Sequence, residues 1–532
     1  LAIAQRHLDR LTATDASFLH QEGDAAHMHI GGVLLFEGPP PPFEDLLAHV
    51  RERLDRVPRY RQKLATPPLD SGRPLWVDDA DFNLEYHVRQ TALPQPGTEA
   101  QLWKLASRLA AQRLDRSKPL WELWVVEGIE PREGDGSARF ALIAKNHHSL
   151  VDGVSSFDLA TALFDIAPQP AATEPQAAAP WRPQPEPGRI ELLAAGIRGA
   201  VRTGADLAGA ALKAATTPAR SAQIVRDAAE GVGSLAWAIL NPAPETPLNV
   251  PIGPHRRYAV IRLRLSDFKT IKREFGGTVN DVVLTAVTGG LREWLHARGF
   301  YTEGVELRAL VPVSVRERSD ANALGNKLTL MRAPLPVYIP EPVTALRVIS
   351  RAMDDLKASK QAVGAATLAA ANALAPPAVL AQASRLQFSP RLFNLLVTNI
   401  PGPQFPLYVL GRRLTDLFPL PFLAERQALA VAIISYDGLI EFGLLGDYDA
   451  LADLELIAAG IGATVDALLD AAVHARGPVA EPPPRPTTSD TEARDGAIDR
   501  SSPALPPAGG HRERHGPASE MRATKRARRR PG

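Results

Sequence analysis

The run Arg139-Phe-Ala-Leu-Ile-Ala-Lys-Asn-His-His-Ser-Leu-Val-Asp-Gly153 decides how the chain reads. Arg139 to Asn146 is short, apolar and bounded by polar residues, the pattern of a buried strand. It leads straight into His147-His148, then Asp152-Gly153, and a helical pattern follows from about Val154 to Ile166. Loops at strand ends display catalytic side chains on a rigid support. An imidazole, with an ordinary pKa of about 6.5, is able to take a proton near neutral pH. Asp152 is able to orient an imidazole or pair with an arginine, and Gly153 allows a backbone approach that a Cβ would obstruct. Adjacent histidines point in different directions, so one of the two faces a substrate, and spacing does not say which. On residue types alone three readings stand: catalysis, a structural histidine pair, and a metal site of imidazole and carboxylate.

The 532 residues suffice for two ordinary domains or one two-lobed unit with a buried cleft. Hydrophobic residues at 45% and charged residues at 22% mark a globular chain. The formal net charge of +1 gives no global attraction to nucleic acid or acidic membrane, and no nucleic-acid partner is expected. The absence of cysteine excludes disulfides, a thiol nucleophile and thiolate metal ligands, and fits a reducing cytoplasm. The N-terminal residues show no signal-peptide core, and no stretch reads as a membrane span. The nearest, Gln361 to Ser384, is alanine-rich and broken by Pro376-Pro377, so a packed helix is expected there. A membrane would be met from its surface.

Residues 1–167 form the expected N-terminal lobe, with strands at His29 to Phe36 and Arg139 to Asn146 and a helix over Gln101 to Leu114. Residues 168–255 hold a Pro-rich linker and then an Ala/Leu/Gly-rich helical crossover from Ile190 to Leu240, either packed on the lobes or touching lipid. Residues 256–477 form the expected C-terminal lobe. Its strands are read at Tyr258 to Leu265, Arg308 to Val315, Leu395 to Ile400 and Ala428 to Ser435. Its helices are read at Thr278 to His296, Val343 to Lys360 and from Leu451 onward. Residues 478–532, ending in Lys525-Arg526-Ala527-Arg528-Arg529-Arg530, lack the apolar content to fold and read as a disordered tail. Interleaved strands and helices make the class α/β with mixed sheets.

HHSLVDG, His147 to Gly153, resembles the HHxxxDG signature of CoA-dependent acyltransferases, the superfamily of chloramphenicol acetyltransferase and peptide-synthetase condensation domains. Other blocks resemble the bacterial wax ester synthase/diacylglycerol acyltransferase family more narrowly: Pro119-Leu120-Trp121 its PLW motif, and Asn280-Asp281 its ND motif. Arg308 to Arg316, Gly325-Asn326, Asn399-Ile-Pro-Gly-Pro403, Ile434-Ser-Tyr-Asp-Gly438 and Phe442 to Gly446 resemble its later blocks. Leu11-Thr-Ala-Thr-Asp-Ala-Ser-Phe18 resembles its opening. The matches are in order from roughly residue 8 to 475. No DFGWG block of the plant relatives is present.

The resemblance implies a two-lobed chloramphenicol-acetyltransferase-like fold with a tunnel between the lobes. It implies transfer of a long-chain acyl group from acyl-CoA to diacylglycerol, or to a long-chain fatty alcohol, with no cofactor, since acyl-CoA is a substrate. His148 would be the general base, with no acyl-enzyme. His147 and Asp152 would support it, and Gly153 would be a backbone requirement. Asn280 and Asp281 read either as a helix cap or as a second-lobe contribution to the site. Pro119, Leu120 and Trp121 read as core packing or tunnel lining. His27 and His29 form an H-x-H pair with no third ligand nearby in sequence, so no metal is expected. The setting implied is cytoplasmic, peripheral at the inner membrane or at lipid droplets.

Overall fold

The computed structural model describes residues 8–132, 134, 136–150, 163–169, 181–216, 241–314, 328–358 and 388–475. Asp152, Gly153, Gly325, Asn326, most of the helix expected at Val154 to Ile166, residues 217–240 of the crossover, Gln361 to Ser384 and the tail lie outside them.

Strands β1 (Asp9–Arg10), β3 (Gln62–Ala65) and β4 (Leu75–Asp78) make a small antiparallel sheet. Four longer strands build the first large sheet: β2 (His29–Glu37), β5 (Val88–Ala92), β6 (Trp121–Ile129) and β7 (Arg139–His147). Two more join it from far downstream, β12 (Tyr408–Val409) and β13 (Arg412–Leu420), giving the order β12-β13-β2-β7-β6-β5. The second sheet comprises β8 (Arg256–Arg264), β9 (Leu307–Ser314), β10 (Leu328–Leu335), β11 (Leu395–Pro401), β14 (Leu429–Tyr436) and β15 (Leu439–Asp447), in the order β10-β9-β11-β14-β15-β8. β5 runs parallel to β6, and β11 parallel to both β9 and β14, while the other pairs are antiparallel. The sheets are mixed and the fold is α/β in two lobes. The C-terminal span 256–477 thus supplies two strands to the sheet that holds β7.

Helices follow their caps. α1 (Ala13–Gln21) and α2 (Phe43–Arg53) precede a one-turn α3 (Leu84–His87) and α4 (Glu99–Ala111). Thr98 opens α4 with a capping box: the Gln101 N–H donates to Thr98 Oγ1 at 3.3 Å, and the Thr98 N–H to Gln101 Oε1 at 2.7 Å. Such a cap contributes about 1 kcal/mol. Leu102, Ala106 and Leu109 of α4 are buried, while Leu114 of the expected stripe falls in the following loop. α5 (Arg189–Thr216), α6 (Leu265–Phe275), α7 (Val279–Ala297), α8 (Pro342–Ala358) and α9 (Leu454–Ala475) complete the described set.

α9 is long and apolar enough to cross a membrane by length and composition, a feature the sequence reading did not pick out. Its Leu454, Ile457, Ile461, Val465 and Leu468 are buried in the core of the second lobe, where it packs on α7. The two helices cross at Gly290 and Gly460, where a Cβ on either would strike the other's backbone. Small residues there let the axes approach closely.

β13 makes the joint between the sheets. It is hydrogen-bonded to β2 of the first sheet while it packs on β15 of the second. The Tyr258 hydroxyl of β8 donates to the Pro419 carbonyl at 2.9 Å. The Leu417 N–H donates to Glu441 of β15 at 2.9 Å. Asp416 and Glu441 are fully buried there, and Arg262 and Arg132 both meet Asp416. Burial, and then the Asp416 charge, push the Glu441 carboxyl up to about 8, so it holds a proton at neutral pH. Gly443 leaves the space through which Pro419 approaches: a Cβ there would fall on the Pro419 carbonyl oxygen. Gly443→Ala is expected to destabilise the protein by about 1–3 kcal/mol through overpacking, read as a lower denaturant midpoint; an unchanged midpoint would show that the joint yields freely.

Candidate active site

The histidine pair sits where β7 leaves its sheet. β7 lies between β2 and β6, with His29 opposite His147 on one side and Trp121 opposite Asn146 on the other. The His147 N–H donates to the Leu120 carbonyl at 3.0 Å, and the His148 N–H to the Met28 carbonyl at 2.8 Å. The chain then tightens into a 3-10 turn over His148–Leu150. Each histidine backbone is therefore tied to a different neighbouring segment.

Pro119, Leu120 and Trp121 support this from below. All three are buried. Trp121 lies flat against His87, with ring centroids 4.6 Å apart and planes 15° apart, and donates its Nε1–H to the Tyr60 carbonyl at 2.8 Å. The Tyr60 hydroxyl donates to Asn146 Oδ1 at 2.9 Å. Core packing describes these contacts, with one addition: the Leu120 carbonyl holds His147.

His148 faces an aromatic wall. Phe18 stacks on its ring at 3.8 Å with planes 20° apart, and Phe422 meets it edge-on at 5.8 Å. Phe388 closes the cluster against both phenylalanines. Nδ1 of His148 is shut off from solvent and has no hydrogen-bond partner among the described residues. Burial lowers the His148 pKa to about 4. The ring is therefore neutral at neutral pH, with a lone pair free to accept a proton.

His147 is held differently. The Ser149 N–H donates to its Nδ1 at 3.1 Å, with the Ser149 hydroxyl 2.7 Å from the same nitrogen. Nδ1 is therefore an acceptor and the ring proton sits on Nε2. Nε2 points toward Glu22, 3.8 Å from its carboxylate. Burial first, then Arg116 and His148, lower the His147 pKa to about 3, so it stays neutral and the approach to Glu22 is polar rather than an ion pair. The Glu22 side chain is 2% exposed and is met by Arg116, by Arg113 at 3.7 Å and by His29 at 3.9 Å. Nothing in residue spacing singles out Glu22, Phe388 or Phe422. Phe18 closes the opening block Leu11 to Phe18, and Glu22 lies one helical turn beyond it.

The second-lobe blocks form a chain of their own. Asp281 is a capping-box residue: its carboxylate accepts the Thr278 N–H at 2.8 Å, and its N–H donates to Thr278 Oγ1 at 3.2 Å. Asn280 accepts from Asn399 at 3.3 Å, which links the ND block to Asn399 to Pro403. The Asp437 N–H donates to the Pro403 carbonyl at 3.0 Å, linking that block to Ile434 to Gly438. Asp437 and Gly438 both have positive φ, 41° and 87°, as the two-residue turn from β14 to β15 requires. The Tyr436 hydroxyl accepts from the Leu407 N–H at 2.8 Å and donates to the Leu414 carbonyl at 3.0 Å. The described contacts do not join Asn280 or Asp281 to His148. His27 and His29 have ring centroids 5.5 Å apart. His27 Nε2 meets the Asp24 carbonyl at 3.0 Å, and His29 Nε2 accepts the Leu114 N–H at 3.4 Å.

The sequence matches the model of the wax ester synthase/diacylglycerol acyltransferase catalytic domain over residues 11–283 and that of the WS/DGAT C-terminal domain over residues 324–468. It is 35% identical over 458 residues to the Mycobacterium tuberculosis protein named "Probable diacyglycerol O-acyltransferase tgs1", covering 85% of this chain and 94% of that protein. Its fold is similar to a wax ester synthase/diacylglycerol acyltransferase from Marinobacter aquaeolei VT8, with a TM-score of 0.60 and 27% identity over 87% of this chain and 100% of that one. The fold also resembles the trichothecene 15-O-acetyltransferase TRI3 of Fusarium sporotrichioides, with a TM-score of 0.55 and 12% identity over 86% of this chain and 94% of that one.

A base with a lowered pKa is lost only when pH falls through that lowered value. The acid limb of kcat/KM, which reports the free protein, is expected near pH 4 rather than near 6.5. Initial rates from pH 4 to 9, with circular dichroism to follow folding, check this; half-loss of rate near pH 6.5 in folded protein would contradict it.

Proposed function

Because this chain belongs to the wax ester synthase/diacylglycerol acyltransferase family, and is an acyltransferase, we propose that it moves a long-chain acyl group from acyl-CoA to diacylglycerol, giving triacylglycerol and free CoA. The observation that carries this is the neutral His148 against Phe18 and Phe422, at the head of a run matching HHxxxDG. His148 takes the proton of the acceptor hydroxyl as that oxygen attacks the thioester carbonyl. The tetrahedral oxyanion collapses, the carbon–sulfur bond breaks, and the departing thiolate takes the proton back from His148. CoA thiolate leaves readily, so no acyl-enzyme is required and no cofactor is called for. General-base assistance contributes on the order of 10²–10⁴-fold, and holding the two substrates together supplies much of the rest. His147 supports the base. Asp152 and Gly153 are assigned the shaping of the loop on the strength of the motif.

Diacylglycerol is preferred as acceptor because relatives at 35% identity over most of the chain carry that activity in their names. A second reading, a long-chain fatty alcohol giving a wax ester, draws on the Marinobacter structure, whose name carries both activities. The enzyme's place in this reading is cytoplasmic, at a membrane or lipid-droplet surface. α5 supports that setting, with Ile190, Ile197 and Val201 exposed alongside Arg198 and Arg202. Asn280, Asp281 and the tunnel lining by Pro119, Leu120 and Trp121 stay outside the mechanism.

His148→Ala is expected to lower turnover of labelled palmitoyl-CoA with diacylglycerol by about 10²-fold or more while the protein stays folded; retained turnover would remove the base. In the same assay wild type is expected to acylate diacylglycerol faster than hexadecanol, and the reverse order would favour the second reading.

A further inference from the structure

Helix α1 lies against the turn that carries His148. Its Phe18 stacks on His148, and Glu22, one helical turn further and the helix's C-cap, reaches His147. Two residues four apart on one helix thus meet two successive residues at the end of β7. A carboxylate that only balanced Arg113 and Arg116 would have no reason to leave solvent, since both arginine side chains are nearly half exposed. The Glu22 side chain instead is turned inward to 2% exposure, with Nε2 of His147 3.8 Å from its carboxylate. Burying an ionised carboxylate costs several kcal/mol, and the two arginines offset that cost from the solvent side. Arg116 also donates to the Leu19 carbonyl at 3.3 Å, which fastens the end of α1 in place.

We propose that Glu22 is a positioning residue for the acyl transfer, its carboxylate facing the Nε2–H of His147 and so fixing the strand end from which His148 is presented. The proposal rests on His148 being the base. The Ser149 N–H fixes Nδ1 of His147 as an acceptor and Glu22 faces Nε2 as a negative charge, so the other tautomer would set a lone pair against the carboxylate and a ring flip would turn a C–H to Ser149. With His147 locked, its own N–H is held by the Leu120 carbonyl and the next N–H, of His148, by the Met28 carbonyl, and Phe18 needs only to define the tilt of the His148 ring. Glu22 touches no substrate in this arrangement. Its loss acts on kcat through the placement of His148 and not on the affinity for acyl-CoA.

The test compares kcat, KM for acyl-CoA, the pH profile and the melting temperature of wild type, Glu22→Gln, Glu22→Asp, His147→Asn, Glu22→Gln/His147→Asn, Glu22→Asp/His147→Asn and His148→Ala. Glu22→Gln is expected to lower kcat by about tenfold or more, as a small misplacement of a reacting group does, with KM and the acid limb unmoved. Glu22→Asp keeps the charge for the arginines but draws it away from His147, so kcat is expected to stay low. Each double variant is expected to be no slower than its slower parent, because both changes break one contact. Wild-type kcat in Glu22→Gln, its full recovery in Glu22→Asp, or losses that multiply in a double variant would overturn the proposal. Should Glu22→Gln fail to fold, the Glu22→Asp and His147→Asn cycle decides alone. Turnover surviving in His148→Ala would strike the base itself; a dead His148→Ala beside a fully active Glu22→Gln would strike only the role of Glu22.

Discussion

Two backbone hydrogen bonds set the terms for the rest of the molecule. The N–H groups of His147 and His148 are given to carbonyls on opposite sides, Leu120 ahead of β6 and Met28 ahead of β2, at 3.0 and 2.8 Å. Because β7 ends at His147 and the chain enters a 3-10 turn at His148, this gives the two side chains different surroundings. His148 turns to an aromatic wall, and His147 turns to a polar nest of Ser149, Glu22 and His29. The first sheet exists, in functional terms, to hold that strand end between its two neighbours.

The price of this placement is desolvation. Both imidazoles are kept neutral by burial, with pKa values near 3 and 4. A neutral imidazole suits a base, and the apolar wall that depresses its pKa also suits acyl chains. Farther away the same physics appears with the opposite sign, where burial beside Asp416 keeps Glu441 protonated at the joint between the sheets. That joint ties β13, a strand from late in the chain, into the sheet that carries His148, so the two lobes are interlocked by chain connectivity as well as by packing.

Much of this was legible in the residues. The buried strand over Arg139 to Asn146 and the helix beginning near Thr278 follow from apolar pattern and a cap signal, and they are found with the strand one residue longer, into His147. The Asp-Gly turn at Asp437-Gly438 was likewise written in the sequence as part of a motif, although its physical reason is a hairpin. What stayed hidden depends on long-range pairing. No local pattern says that Arg412 to Leu420 will cross to the first sheet, or that Phe18, Phe388 and Phe422 will meet at one histidine. No local pattern sets Glu22 apart, and its burial depends on His147 at the end of β7 together with Arg113 and Arg116 arriving from the loop after α4. α9 was readable as helix, but its apolar character comes from packing on α7 through Gly290 and Gly460.

The central claim is that His148 acts as a base in a direct transfer and never carries the acyl group. Rapid-quench measurement of CoA release, with palmitoyl-CoA in excess and no acceptor present, tests it most directly. The account predicts no early burst of CoA, with release beginning only when the acceptor alcohol is added. A burst of one equivalent per protein, with an acyl group recovered on His148, would contradict it and make that residue a nucleophile.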